Sequence, residues 1–213
     1  MRKHVMEFLR YPDIQIMGLL TLAVAGFALS QAPRPQVWFA LLVGVGLFFI
    51  SEYTTHRFFF HMAPPKSPLL RKAIYRLHYH HHEEPNDLHL LFLPIWYSIP
   101  QFFISGSIAW WVTGDIRLAA GFLTGSMGLL MYYEWLHYVA HRPVTPLTPW
   151  GRWMKKYHLW HHFKNEHYWY GVTNPSLDML LGTYKEVADV EKSPTARKLD
   201  PGAEVAASVE RGR

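Results

Sequence analysis

The histidines of the run His158-Leu159-Trp160-His161-His162 stand at i, i+3 and i+4. On a helix that spacing places three rings on one face, close enough to share a metal ion. The same spacing occurs earlier as His78, His81 and His82, and each triplet follows a pair, His56 and His61 before the first, His137 and His141 before the second. Ten of the fourteen histidines fall in this repeated pattern. It fits two metal ions with about five imidazoles each, a dinuclear site that needs no directly bound carboxylate. The first pair is the awkward one. Five residues of regular helix turn through roughly 500°, which leaves the rings of His56 and His61 about 140° apart. Either the two serve different metals or the helix ends between them.

Each motif has a plainer reading beside the metal one. A pair at the end of a span can be an interfacial pair, and a single triplet can be a structural zinc site or a surface cluster. Four motifs together favour metal, because stacked imidazoles repel on protonation and have no other evident role. His80 points away from the triplet face, His89 and His167 fit no pair, and His4 is a solvated terminal residue. Three carboxylates are placed to receive the outer N–H of a bound imidazole: Glu52 before His56, Glu134 before His137, and Asp178 after the last triplet. Glu134 stands out, since an unpaired charge in its apolar context is costly.

The elements that must position these residues read as membrane helices. Of 213 residues, half are hydrophobic and 16% aromatic, and the mean hydropathy of -0.04 averages apolar blocks with charged, His-rich ones. Apolar runs at 14–30, 37–50, 90–113 and 116–135 read as four transmembrane helices. Pro94 and Pro100 should kink or divide the third. Gly121, Gly125 and Gly128 should let the fourth pack closely on a neighbour. The fold class is therefore an all-α integral membrane protein with a histidine-rich helical dome. Residues 1–13 form a polar start, 14–186 the membrane and dome domain, and 187–213 a polar, disordered tail. Both triplets follow an even-numbered span, so all four motifs face one side. Three basic residues precede the first span, five lie between the second and third, and eleven follow the fourth, against only Arg34 and Arg117 in the opposite turns. That bias puts the dome and both termini in the cytoplasm.

Composition also excludes several chemistries. There is no cysteine, so disulfides, thiolate metal sites and cysteine nucleophiles are ruled out. The formal charge of +5 does not point to nucleic acid, because the basic residues flank apolar segments instead of forming a stripe.

The order HRFFFH, HYHHH, HYVAH and HLWHH, with Glu52-Tyr53 before it and Tyr170-Gly171-Val172-Thr173 after it, resembles the membrane fatty acid hydroxylase superfamily, and within it the fatty acid 2-hydroxylases. The likeness covers roughly 52–184. It implies that His56, His61, His78, His81, His82, His137, His141, His158, His161 and His162 ligate two iron ions, and that molecular oxygen is used to hydroxylate the carbon next to an acyl carboxyl group. The implied partners are a lipid acyl substrate and an electron donor. The stretch before residue 14 is too short for a cytochrome b5-like domain, so a separate donor is expected: a cytochrome b5-like protein, a ferredoxin or a reductase. The compact length suggests a bacterial inner membrane.

This chemistry suits the residues. An unactivated C–H bond is beyond acid–base side chains and calls for a metal that activates oxygen, which zinc does not do. Imidazole alone does not choose the metal, and zinc remains possible in isolated protein. Sterol or carotenoid oxidases and desaturases on the same scaffold are the nearest alternatives. Three intervening residues between His137 and His141, and four between His56 and His61, lean away from both. A non-oxidative zinc protein is the more distant alternative, and no HExxH motif supports a hydrolase.

Overall fold

The computed structural model describes residues 2–30 and 34–200, and every regular element among them is helical. In chain order the helices are α1 (Arg2–Leu9), α2 (Pro12–Ser30), α3 (Pro35–Thr54), α4 (Pro68–Ile74), α5 (His80–Glu83), α6 (Leu88–Leu91), α7 (Ile95–Thr113), α8 (Ile116–His141), α9 (Pro149–Phe163) and α10 (Ser176–Leu181). Two π-helical turns interrupt them, Thr55–Phe60 after α3 and Tyr75–Tyr79 between α4 and α5. The chain divides into two compact units, one of residues up to Glu52 with Phe92–Val139, the other of Tyr53–Leu91 with the chain from Ala140 onward. Helices α3 and α8 each run through a division without a break.

In the first unit the hydrophobic pattern is turned outward. The segments Pro12–Ser30, Pro35–Phe60 and Leu88–Thr113 are long and apolar enough to cross a membrane, yet only 17%, 17% and 28% of their apolar windows are buried. Leu19, Leu22, Phe39, Phe103 and Trp111 are all exposed. An apolar belt of this size facing outward is what a bilayer solvates. The fourth expected span, 116–135, forms the first part of the 26-residue α8 but is not among the three qualifying helices. Its inward-facing residues, including Ala119, Ala120, Ser126 and Met127, are small or only moderately apolar. The third span breaks where proline demands it on only one count. Pro94 is extended and starts α7, whereas Pro100 lies inside α7 without ending it.

Helices α3 and α8 meet backbone to backbone. A Cβ placed on Gly125 would lie 2.1 Å from the Leu41 carbonyl oxygen, and one on Gly121 would lie 2.7 Å from that of Val37. Reciprocally, a Cβ on Gly44 would lie 2.0 Å from the Phe122 oxygen, and Ser126 donates its hydroxyl to the Gly44 carbonyl at 3.1 Å. Gly128, expected to share this role, has nothing within 4 Å of its Cβ position.

The polar start is also structured. Phe8 of α1 packs edge-on against Phe92 and Trp135, and Tyr138 donates its hydroxyl to Glu7 at 2.5 Å. His4 lies 3.3 Å from the same Tyr138 hydroxyl, so it is a packed residue and not a merely solvated one.

In the second unit the two triplet-bearing segments begin alike. Ser67 caps α4 through Leu70 N–H and Thr148 caps α9 through Gly151 N–H, each followed by proline at the first helical position. Met154, Tyr157, Trp169 and Val190 make a buried apolar cluster beneath α9. Val190 belongs to the region expected to be a disordered tail, and that expectation is corrected over 187–200. Val190, Ala196 and Asp200 are buried there, and Asp200 receives Arg71 through two bonds of 2.5 Å. Polar composition misled because these residues bond to protein groups instead of water. Residues 201–213 of the expected tail lie outside the described residues.

The α3–α8 approach gives a paired prediction. Gly125→Ala should destabilise the protein by about 1–3 kcal/mol through overpacking against the Leu41 carbonyl. Gly128→Ala should be neutral or slightly stabilising, since alanine is the better helix former. Thermal unfolding of both variants in detergent checks this.

Candidate metal centre

The ten histidines gather into two groups, but not along the lines of the triplets. His56, His61, His78, His82 and His161 form one, and His81, His137, His141, His158 and His162 the other, with the ligand nitrogens of each group within 4.8 Å of one another. His137 lies one turn before His141 on α8. Each triplet splits. Its i and i+4 members enter one group and its i+3 member enters the other, so His81 joins His158 and His162 while His161 joins His78 and His82. Successive helical residues are about 100° apart, so neighbours such as His81 and His82 aim at different points. The expectation that a triplet shares one ion is thereby corrected. The groups adjoin where His82 stacks on His162, ring centroids 4.0 Å apart and 17° from parallel.

The π turn Thr55–Phe60 resolves the awkward pair. His61 donates its backbone N–H to the His56 carbonyl at 3.2 Å, an i→i+5 bond. A π turn holds one more residue than an α turn, so residues five apart stand over one another and both rings enter the first group. The helix does end between them, at Phe60 with His61 as its C-cap, but the two rings are not sent to separate groups. The second π turn, Tyr75–Tyr79, contains His78 and hands on to α5 with His81 and His82.

Outer hydrogen bonds set which nitrogens face inward. A carbonyl can only accept, so His56 donates Nδ1–H to Tyr170 O, His161 to Tyr168 O at 2.7 Å and His82 to Ala196 O at 2.8 Å. With that proton on Nδ1, each ring turns its Nε2 inward. His78 Nε2 lies 3.2, 2.8 and 3.0 Å from the Nε2 atoms of His56, His61 and His82, and His61 Nε2 is 2.9 Å from that of His161. So few protons among so many converging nitrogens cannot satisfy them by hydrogen bonding. His162 is wholly buried with neither ring nitrogen hydrogen-bonded, a state that costs free energy unless a cation takes it up.

The residues therefore fit a metal. Nitrogens about 2.1 Å from a common ion are about 3.0 Å apart at a right angle and about 3.4 Å at the tetrahedral angle. Neighbouring nitrogens here stand 2.8–3.2 Å apart, with 2.9 Å between His141 and His158, close enough to share an ion.

The carboxylates act at one remove. Asp178, fully buried, accepts Tyr170 N–H at 2.9 Å, Gly171 N–H at 2.7 Å and the Thr183 hydroxyl at 2.7 Å. It holds the loop whose Tyr170 carbonyl meets His56. Trp169 sits between the two histidine-accepting carbonyls at φ +60, a left-handed conformation unusual for a bulky residue. Its indole donates to Lys185 O at 3.0 Å and anchors that turn. Glu134 is buried and accepts Leu93 N–H at 3.1 Å, while its second oxygen has no hydrogen-bond partner. Glu52 is buried one helical turn before His56. The accepting carbonyls of Tyr168, Tyr170 and Ala196 were invisible to sequence reasoning, because any residue type supplies a carbonyl.

Residues 41–183 match the sequence model of the family described as fatty acid hydroxylase. The chain belongs to that family. Among relatives of the fatty acid hydroxylase family, it is 33% identical over 166 residues to the ceramide very long chain fatty acid hydroxylase SCS7 of Saccharomyces cerevisiae, covering 75% of this chain and 41% of that protein. It is 35% identical over 153 residues to the dihydroceramide fatty acyl 2-hydroxylase FAH2 of Arabidopsis thaliana, covering 70% of this chain and 62% of that one. This chain thus spans less than two thirds of either. A solved structure, full-length scs7p with only the hydroxylase domain visible, matches with a TM-score of 0.75 at 28% identity, over 84% of this chain and 68% of that one.

Burial favours the neutral form, the one that binds metal, at several of these histidines. It lowers the pKa of His82 to about 3, and burial followed by the neighbouring imidazoles holds His61, His78 and His162 well below the ordinary value. In the unfolded chain these rings titrate near 6.5, so below that pH the unfolded state binds more protons and gains. Metal-free protein should therefore be at full stability above about pH 6.5 and lose it steadily as the pH falls toward the folded values. Thermal melts of metal-stripped protein across this range check it, and a flat profile would contradict the burial of neutral rings.

Proposed function

We propose that the chain is an oxygen-dependent membrane hydroxylase that places a hydroxyl on carbon 2 of a lipid acyl chain, using two iron ions held by the ten histidines. The observation that carries this reading is the pair of five-imidazole groups in a chain whose relatives are named fatty acyl and fatty acid 2-hydroxylases. His56, His61, His78, His82 and His161 would hold one ion, and His81, His137, His141, His158 and His162 the other. When bound, the irons supply oxygen activation and accept electrons, which acid–base side chains cannot do. The overall change is balanced as one C–H bond and one dioxygen, with two electrons and two protons, giving the alcohol and one water. The electrons come from a cytochrome b5-like protein, a ferredoxin or a reductase.

The chain's own residues provide binding and exclusion. Nδ1–H donation by His56, His82 and His161 fixes ring orientation and keeps the inward nitrogens basic. Asp178 keeps the Tyr170 carbonyl in place to receive His56. Glu134 accepts Leu93 N–H one turn before His137 within α8. Burial of nine of the ten rings excludes bulk water from the reaction. The hydroxylase unit covers 14–186, with 116–135 as a fourth span, the His groups and both termini cytoplasmic, in a bacterial inner membrane. Relatives acting on acyl groups favour this substrate over sterols or carotenoids.

Mass spectrometry of hydrolysed lipid from a host expressing the chain tests the reading. A fatty acid heavier by one oxygen at carbon 2 should accumulate, and His161→Ala should reduce it by at least about 100-fold. Oxidised sterol or carotenoid with unchanged acyl chains, from iron-loaded protein and a working donor, would overturn it.

A further inference from the structure

Of the three ring-accepting carbonyls in the first group, two belong to the loop braced by Asp178, and the third has a different support. Ala196 O, which receives His82 Nδ1–H at 2.8 Å, lies in the segment 191–200. This segment is bonded at both ends and in the middle to parts of the chain remote in sequence. Ser193 N–H donates to Lys164 O at 2.7 Å, just beyond the second triplet. The hydroxyls of Ser193 and Thr195 donate to one oxygen of buried Glu166 at 3.0 and 2.5 Å. Arg197 Nε donates to His82 O at 2.5 Å, and its Nη2 donates to Glu83 O. Its guanidinium also lies over the Phe163 ring, 5.1 Å from the centroid. Asp200 closes the far end on Arg71.

We propose that residues 191–200 are a clasp that retains the metal ion of the first histidine group, with Arg197 as its positioning residue. The inference rests on the metal reading above and adds to it a segment outside the histidine motifs. Arg197 meets the last carbonyls of α5, which have no partner within the helix, and a cation there also favours the helix end. By gripping the backbone of His82, it holds the adjacent Ala196 carbonyl against that residue's ring. The ring is thereby kept in the Nδ1–H tautomer, with Nε2 free to ligate. His82 belongs to the first group, so the clasp acts on the ion that group would hold. Outer partners of this kind change metal affinity by about 10–100-fold.

The test is metal release from full-length protein in detergent, loaded with ferrous iron without oxygen and then challenged with a chromogenic chelator. Wild-type protein should release both ions slowly. Arg197→Ala should release one ion at least about tenfold faster, with the other keeping its wild-type rate and helical circular dichroism unchanged, and Arg197→Lys should fall between. If Arg197→Ala does not fold, the Ser193→Ala, Thr195→Ala double variant loosens the opposite anchor and should show the same one-ion loss. Release of both ions at wild-type rates in the folded variants overturns the clasp while leaving the metal reading intact. Loss of both ions together with helical signal also overturns it, as that marks general unfolding. Failure of wild-type protein to take up iron overturns the metal reading itself.

Discussion

Ten imidazoles aimed at two points is the constraint on which the rest depends. Bare lone pairs crowded at about 3 Å repel and lose their hydration, so an arrangement like this needs both a cation and a scaffold stiff enough to hold it open. The scaffold supplies stiffness in three ways: helices that repeat a spacing, π turns that realign it, and backbone carbonyls that lock the outer nitrogens. Each carbonyl is itself held, those at 168 and 170 by a turn around Trp169 and Asp178, that at 196 by bonds to Lys164, Glu166 and the end of α5.

How the histidines divide follows from helical geometry. Because i and i+4 nearly eclipse while i+3 stands aside, each triplet gives two rings to one group and one to the other. The exchange ties the first triplet to the second through both groups, so neither can form unless both segments are docked. That reciprocity explains why the pattern occurs twice. It also links metal binding to folding of the second unit, since the chain segments at 78–82 and 158–162 have no shared ligand points until they meet.

The ten histidines that gather into the two groups were legible in the sequence because histidine spacing is a strong and rare signal. Their partition was not. Reading a regular helix through 56–61 gave the wrong phase, and only the i→i+5 bond between His61 and His56 restores it. The outward apolar belt was equally legible, as were Gly121 and Gly125, whereas Gly128 shares their composition but not their contact. Polarity at 187–200 suggested disorder because composition records what a side chain can bond to, not what it does bond to. Thr195 and Arg197 would be solvated in a tail and are here committed to Glu166 and to α5. Asp178 was read as a direct partner of a histidine, and the structure inserts the Tyr170 peptide between them.

The close α3–α8 crossing fixes two helices whose chain continues to His56 and His141. The central claim is that each group of five histidines holds one metal ion. Metal analysis combined with iron K-edge X-ray absorption on the anaerobically loaded protein tests it most directly. Two irons per chain, each with about five nitrogen ligands, is the predicted result. A single ion per chain, or four-coordinate tetrahedral sites, would contradict it.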